Sequence, residues 1–418
     1  MSAQKSKTNP WAWVPSLYFA EGIPYFIVNV ISVTMFKRLG MSNGDLAMYT
    51  SLLYLPWVIK PLWSPFVDVI RTKRWWVVAM QVLITLGFAA LALSVSPDAF
   101  GFSIVAFYII AFASATHDIA ADGYYMIALE HKEQSLFVGI RSTFYRIASV
   151  FGQGVIVVIA GLLEEHYDNI PLAWQLTLGL STLLFLLLTL WHLFRLPRCE
   201  KQPQKEDNAT SRILKDFARS WVTFFKKDGV WLAITFMLLY RLPEAFSVKM
   251  LTPFMLDSVA DGGLGLSTTQ SGLVYGTVGV IALTVGGILG GLYAAKFGLR
   301  RSLWLMSLSL ALPCAVYLYM AVAQPTSLPV IYVCVAFDQL GYGFGFTAYM
   351  LYMMHFSEGE FKTSHYAICT AFMALSMMIP GLFAGWIQEA IGYVGFFIIV
   401  MVCCLATIFV THFARSRC

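Results

Sequence analysis

The sequence predicts an all-α polytopic membrane protein of twelve transmembrane helices in two six-helix bundles. Three observations carry that expectation. Of the 418 residues, 58% are hydrophobic and only 12% are charged, whereas a soluble domain has about 25% charged residues. Apolar runs recur along the chain, each near the roughly 20 residues that a helix needs to cross a bilayer. Lysine and arginine are also distributed unequally between alternate loops, as the positive-inside rule requires.

The apolar runs place helices at about 11–36, 44–67, 75–95, 100–129, 136–163 and 172–195 in the first half. Those of the second half lie at about 229–255, 268–296, 302–322, 328–354, 364–388 and 392–413. The first run is too long for the apolar region of a cleavable signal peptide and reads as a spanning helix. The one long polar stretch, about 196–227, contains RCEKQPQKEDNATSR and then basic, partly amphipathic residues. It reads as a linker with room for a short surface helix. The expected domains are therefore 1–195 and 229–418, joined by 196–228. If twelve helices alternate, 21 of the 28 lysines and arginines fall on one side and only Lys37 and Arg38 on the other. Both termini and the linker are then expected in the cytoplasm. The seven cysteines have no metal-site spacing and read as small core residues.

The halves carry a weak internal repeat with an offset near 225. YFAEGIP (18–24) is similar to YRLPEAF (240–246), each placing a glutamate and a proline early in the first helix of its half. DVIRTKRWW (68–76) occupies the place of KFGLRRSLW (296–304), and DGYYM (122–126) that of FTAYM (346–350). This 6+6 pattern with a basic central loop resembles the major facilitator fold, an architecture in which substrate binds near the midplane between two bundles. LPWVIKPLWSPFVDVIRTKRWW (55–76) resembles the loop signature of that superfamily between helices 2 and 3, although the usual glycine and Asp-Arg pair are missing. Asp68, Arg71, Lys73 and Arg74, with Arg300 and Arg301 in the second half, are candidate gating residues. Positive-inside anchoring alone is the competing reading of the bases.

The most informative segment is FASATHDIAADGYYMIA (112–128). It places His117, Asp118 and Asp122 inside an apolar run, where a charge costs at least a few kcal/mol unless it has a partner, a water-filled cavity or a proton. Asp118 and Asp122 are four residues apart and share one helix face, about 6 Å apart along the axis. Other intramembrane acids are Glu21, Glu244 and Asp338; the bases are Arg141, Arg146, Arg241 and Lys249, with Lys60 at the end of helix 2. The near balance suits buried charges that pair. Glu21, Asp118, Asp122 and His117 are candidates for proton coupling, His117 because imidazole titrates in the physiological range. Arg141 and Arg146 are plausible partners of Asp118 and Asp122, and Arg241 of Glu244 three residues on. The substrate-site candidates are Arg141, Arg146, Arg241, Glu244 and Asp338, with Tyr25, Tyr124 and Tyr125 able to stack on a sugar ring. Charge pairs that only hold helices together, and aromatics that only fill the core, are the competing readings. Gly286–Gly290 and Gly287–Gly291 form overlapping GxxxG pairs and read as helix packing.

LPWVIKPLWSPFVD, EGIP and ATHDIAADGYY together resemble the AmpG muropeptide permease group, a facilitator branch that also includes the acetyl-CoA transporters. The resemblance covers mainly helices 1 to 5; where that family usually has glutamine this chain has His117. It implies a bacterial inner-membrane symporter that imports anhydro-sugar peptides from cell-wall turnover, with the proton as coupling ion and no other cofactor. The expected partners are an amino-sugar peptide and the lipid bilayer, without nucleic acid, and the expected state is a monomer. No Walker sequence, zinc motif or nucleophile elbow occurs, so an enzyme is not expected. A facilitator for another sugar or glycan fragment, a proton-coupled drug exporter and a non-transporting sensor remain the alternatives.

Overall fold

A computed structural model describes residues 9–199 and 209–417. Every regular element among them is helical, because backbone in hydrocarbon must satisfy its own N–H and C=O groups. Helix α1 spans Pro10–Arg38 and contains a π turn at Ile27–Ile31. It is followed by α2 (Asn43–Leu52), α3 (Leu55–Val69), α4 (Lys73–Ser94) and α5 (Phe100–Ala128). Helix α6 comprises His131–Val150, a π turn at Phe151–Ile156 and Val157–Tyr167; α7 is Ile170–Arg195. Then come α8 (Ala209–Phe225), α9 (Val230–Leu239) and α10 (Leu242–Leu256). The chain closes with α11 (Thr268–Phe297), α12 (Leu299–Ala323), α13 (Leu328–Phe356) and α14 (Lys362–Ala414).

Ten helical segments among the described residues are long and apolar enough to cross a membrane. Two departures separate this from the expected twelve. The run expected as one helix at 44–67 is two pieces, α2 and α3, because the chain turns at Leu53 and Tyr54. The runs expected at 364–388 and 392–413 are joined in α14, whose 53 residues would extend about 80 Å if straight. They do not form one straight rod: Gly392 has φ 72° and ψ 174°, a conformation open to glycine, and breaks the helix there. The surface helix anticipated in the linker is α8; linker residues 200–208 lie outside the described residues.

The chain divides into two compact units. The first comprises residues up to Ser32 together with Ile59–Lys215; the second comprises Val33–Val58 together with the chain from Asp216. The core of the first unit gathers Trp13, Leu17, Val77, Ala121 and Tyr124. The second has one core around Phe254, Tyr317 and Phe397 and another around Tyr240, Tyr349 and Met353. In the second unit α2 packs on α14 with almost no gap: a Cβ on Gly385 would lie 1.8 Å from the Asn43 carbonyl oxygen. Close approach of this kind supplies van der Waals contact where lipid provides no hydrophobic drive between helices.

Candidate functional site

Helix α5 builds the centre of the site in the first unit through its 3.6-residue period. Asp118, Asp122 and Tyr125 fall on one face and His117 and Tyr124 on another, about 100° away. Helix α1 meets α6 closely because Gly22 lies against Ala148 and Tyr145, and Gly152 against Phe26; a Cβ on either glycine would come within 2.7 Å of its neighbour. That contact brings Tyr18 and Glu21 on α1 beside Arg141 on α6.

Four charged groups pair across helices. Asp118 forms an ion pair with Lys60 of α3. Asp122 pairs with Arg141 at 2.8 Å and accepts a hydrogen bond from the Tyr18 hydroxyl at 3.1 Å. The Arg141 guanidinium also lies 4.5 Å from the Tyr18 ring centre and 5.3 Å from that of Tyr125, a placement in which the ring faces favour the cation. Glu21 is buried beside this group, facing the charges of Asp118, Asp122, Arg141 and Lys60. Its Oε2 has no hydrogen-bond partner among the described residues. Three carboxyls therefore meet two cations. Asp122 retains 42% of its side-chain exposure and Arg141 29%, so this end of the cluster is open while Glu21 is closed off.

The other candidates of the first unit lie elsewhere. His117 is fully buried and turns from the acids toward α4 and α7; its Nε2 is 3.0 Å from Gln81 Nε2. Gln81 Oε1 accepts from His192 Nδ1, and His192 Nε2 meets the Ser16 hydroxyl, each at 3.0 Å. Tyr124 donates to the Pro197 carbonyl and packs edge-on against Trp13, a core placement. Tyr25 sits one turn beyond Glu21, edge-on to Phe26. Arg146 lies on an exposed face of α6 and forms no ion pair among the described residues; the pairing with Asp118 or Asp122 open to it falls to Arg141 and Lys60. At the α3–α4 turn Arg71 is exposed with φ 66°. Lys73 is buried, its side chain lying against Gly123. Arg74 donates to the carbonyls of Leu193 and Leu196 and so caps the end of α7. The Asp68 side chain lies outside the described residues.

The second unit holds two further charged clusters. Arg241, at the break between α9 and α10, pairs with Glu244 at 3.0 Å and donates to the Tyr342 hydroxyl at 2.7 Å. The Phe346 ring centre lies 4.8 Å from its guanidinium. Asp338 accepts from the Tyr317 hydroxyl at 2.6 Å and the Gln339 amide at 3.0 Å. Arg300 and Arg301 are exposed at the start of α12. Sequence reasoning did not anticipate a polar knot where α1 and α2 meet α10 and α14. There Lys37 pairs with Asp257, and Asn43 donates to Asp257, Gln388 and Tyr393 while accepting from Lys37 at 2.7 Å. The knot joins three distant stretches of the chain, and of its members only Lys37 stands out in the sequence, for its side of the membrane and not for a partner. Lys249, noted only as an intramembrane base, is buried with its ammonium 3.1 Å from the Thr50 hydroxyl and has no acidic partner among the described residues.

Comparison with known proteins agrees with this architecture. The chain is 26% identical over 394 residues to the anhydromuropeptide permease of Escherichia coli (strain K12), covering 91% of this chain and 75% of that one. It is 22% identical over 426 residues to the putative transporter AmpG 4 of Rickettsia conorii, covering 96% and 95%. Among solved structures it resembles a POT family transporter in complex with 5-aminolevulinic acid, at 11% identity and a TM-score of 0.74, covering 96% and 95%. The model of the Major Facilitator Superfamily matches residues 16–357 and 242–417. The chain is a multi-pass membrane transporter by fold and relationship, and it belongs to the Major Facilitator Superfamily.

Proposed function

We propose that this protein is a proton-coupled symporter that imports anhydro-muropeptides or related amino sugars across a bacterial inner membrane. Similarity to the anhydromuropeptide permease supports the substrate class. The observation that carries the coupling is the charge count around α5: Glu21, Asp118 and Asp122 against Lys60 and Arg141. One negative charge in excess is costly within a membrane, and a bound proton removes it. The open end at Asp122 and Arg141 is where a proton or a substrate carboxylate enters. A substrate acid that engages Arg141 competes with Asp122 for the same guanidinium. Substrate binding and protonation of Asp122 then favour each other, which is the reciprocal linkage a symporter needs.

The test is uptake of a labelled anhydro-muropeptide into proteoliposomes with and without an inward proton gradient. Gradient-driven accumulation is expected in the wild type. Asp122→Asn is expected to lose accumulation while retaining downhill exchange. Absence of uptake by folded protein would remove the muropeptide assignment, and a panel of sugars and drugs would follow. Accumulation that survives both Asp122→Asn and Glu21→Gln would remove the coupling role of the cluster.

A further inference from the structure

A basic cleft of about 640 Å³ opens in the second unit where the end of α11, the start of α12 and the ends of α13 and α14 meet. It is lined by Arg300, Arg301, Arg415 and His355, with Phe297 and Leu299 supplying apolar surface. Anchoring by the positive-inside rule requires cations in this loop but does not require them to converge on a cavity. Here their placement is specified. Gly298 turns the chain with φ 75°, a conformation that favours glycine, and sends it directly into α12. The Nε of Arg415 donates to the Arg300 carbonyl at 3.0 Å, which tethers the guanidinium at the cleft. None of the three arginines has an acidic partner among the described residues. The nearby Glu358 instead stands 4.0 Å from His355. Three permanent positive charges thus share one concavity without a protein anion, within the size range of small-molecule sites.

We propose that this cleft binds the phosphate group of an anionic phospholipid. Arginine's planar fork matches phosphate oxygens in a bidentate manner. A lipid, and not a free phosphate, is the source favoured by the surroundings. Leu305, one turn from Arg301 on the same face of α12, is 47% exposed, and Phe297 is 41% exposed. Both offer surface to acyl chains beside the charged site. Trp304 and His412 lie edge to face nearby, as aromatic side chains do at the level of lipid headgroups. The Lys and Arg bias assigns this end to the cytoplasm, where anionic lipids attract basic residues. The role is independent of proton coupling and of the transported solute.

Native mass spectrometry of the full chain, released from micelles holding equal phosphatidylglycerol and phosphatidylcholine, tests the proposal. The wild type is expected to retain phosphatidylglycerol selectively. Each of Arg301→Gln and Arg415→Gln is expected to weaken that retention about fivefold, whereas Lys362→Gln, which is not part of the cleft lining, leaves it unchanged. Arg301→Lys keeps charge but not the fork, and falls between wild type and Arg301→Gln. Thermal unfolding of lipid-free protein with inorganic phosphate separates the two phosphate sources. Arginine-dependent stabilisation by phosphate without selective lipid retention would overturn the lipid assignment. Equal retention of both lipids without that stabilisation by phosphate, or retention unaffected in either glutamine variant of a folded protein, would overturn the site altogether.

Discussion

Asp118 and Asp122 lie on the same face of one helix, yet their surroundings differ. Asp118 is held by Lys60, an ammonium on a neighbouring helix, whereas Asp122 shares Arg141 with two aromatic rings and itself accepts a hydrogen bond from the Tyr18 hydroxyl. Removing one member of a buried pair leaves an uncompensated charge and costs about 3–5 kcal/mol. Both Lys60 and Asp118 keep about a fifth of their exposure, so solvent screening lowers the expected cost of Lys60→Met to about 2 kcal/mol. Thermal unfolding in detergent checks this. Adding Asp118→Asn to the same chain is expected to restore stability but not gradient-driven uptake; failure to restore stability would show that Lys60 acts through another group. His117 supplies the contrast. It faces the Gln81–His192 chain and not the acids, and His117→Gln is expected to keep gradient-driven uptake within about twofold, an amide preserving a hydrogen bond to Gln81. The common face of Asp118 and Asp122 was legible in the sequence, because helical period alone determines it. Of their partners, Arg141 was among the bases the sequence offered and it pairs with Asp122, whereas Lys60 was not: it is 58 residues away from Asp118, and which helix supplies a counter-charge depends on how the helices pack. The local period also sends His117 away from its immediate neighbour Asp118, which proximity in sequence conceals.

At the scale of elements, glycine determines which helices can touch. Both overlapping GxxxG pairs of α11 looked equivalent in the sequence, and the structure separates their members. A Cβ on Gly286 would lie 2.1 Å from the Leu340 carbonyl oxygen of α13, and one on Gly290 2.7 Å from that of Phe344, whereas one on Gly291 would meet nothing within 4 Å. The contact is reciprocal, since a Cβ on Gly343 of α13 would lie 2.1 Å from the Leu283 carbonyl oxygen. Backbone atoms cannot rotate aside as a flexible side chain can, so an added methyl must separate the helices. Gly286→Ala and Gly343→Ala are each expected to destabilise the second unit by about 1–3 kcal/mol, while Gly291→Ala leaves the unfolding midpoint in detergent unchanged. Equal effects at Gly286 and Gly291 would contradict the packing of α11 on α13. The same scale shows where hydropathy loses information. Apolar composition marks a segment that prefers lipid but does not register a break within it. Thus the turn at Leu53 and Tyr54 divided an expected single helix, and α14 runs through two expected ones with its break at Gly392.

For the whole molecule, the strongest sequence signal is the placement of cations, and it yields a prediction of orientation. The turn at Gln324, between α12 and α13, and the turn at Gly298 lie at opposite ends of α12. Lys296, Arg300 and Arg301 gather at the Gly298 end, and no Lys or Arg lies between Ala315 and Pro329. Lysine and arginine resist translocation when they flank a spanning helix, so the Gly298 end and the C-terminus beyond Arg415 are expected to remain in the cytoplasm. The two bases expected on the other side, Lys37 and Arg38, are outnumbered by the 21 expected on the cytoplasmic side. A green fluorescent protein fused after Cys418 is then expected to fluoresce, and alkaline phosphatase fused there to be inactive. Alkaline phosphatase inserted after Gln324 is expected to be active. The reverse pattern would invert the molecule, and with it the face from which the proposed symport would draw its protons. Orientation and coupling therefore stand as separate claims: the fusions test which way the chain lies, and the proteoliposome gradient tests whether the three carboxyls around α5 use it.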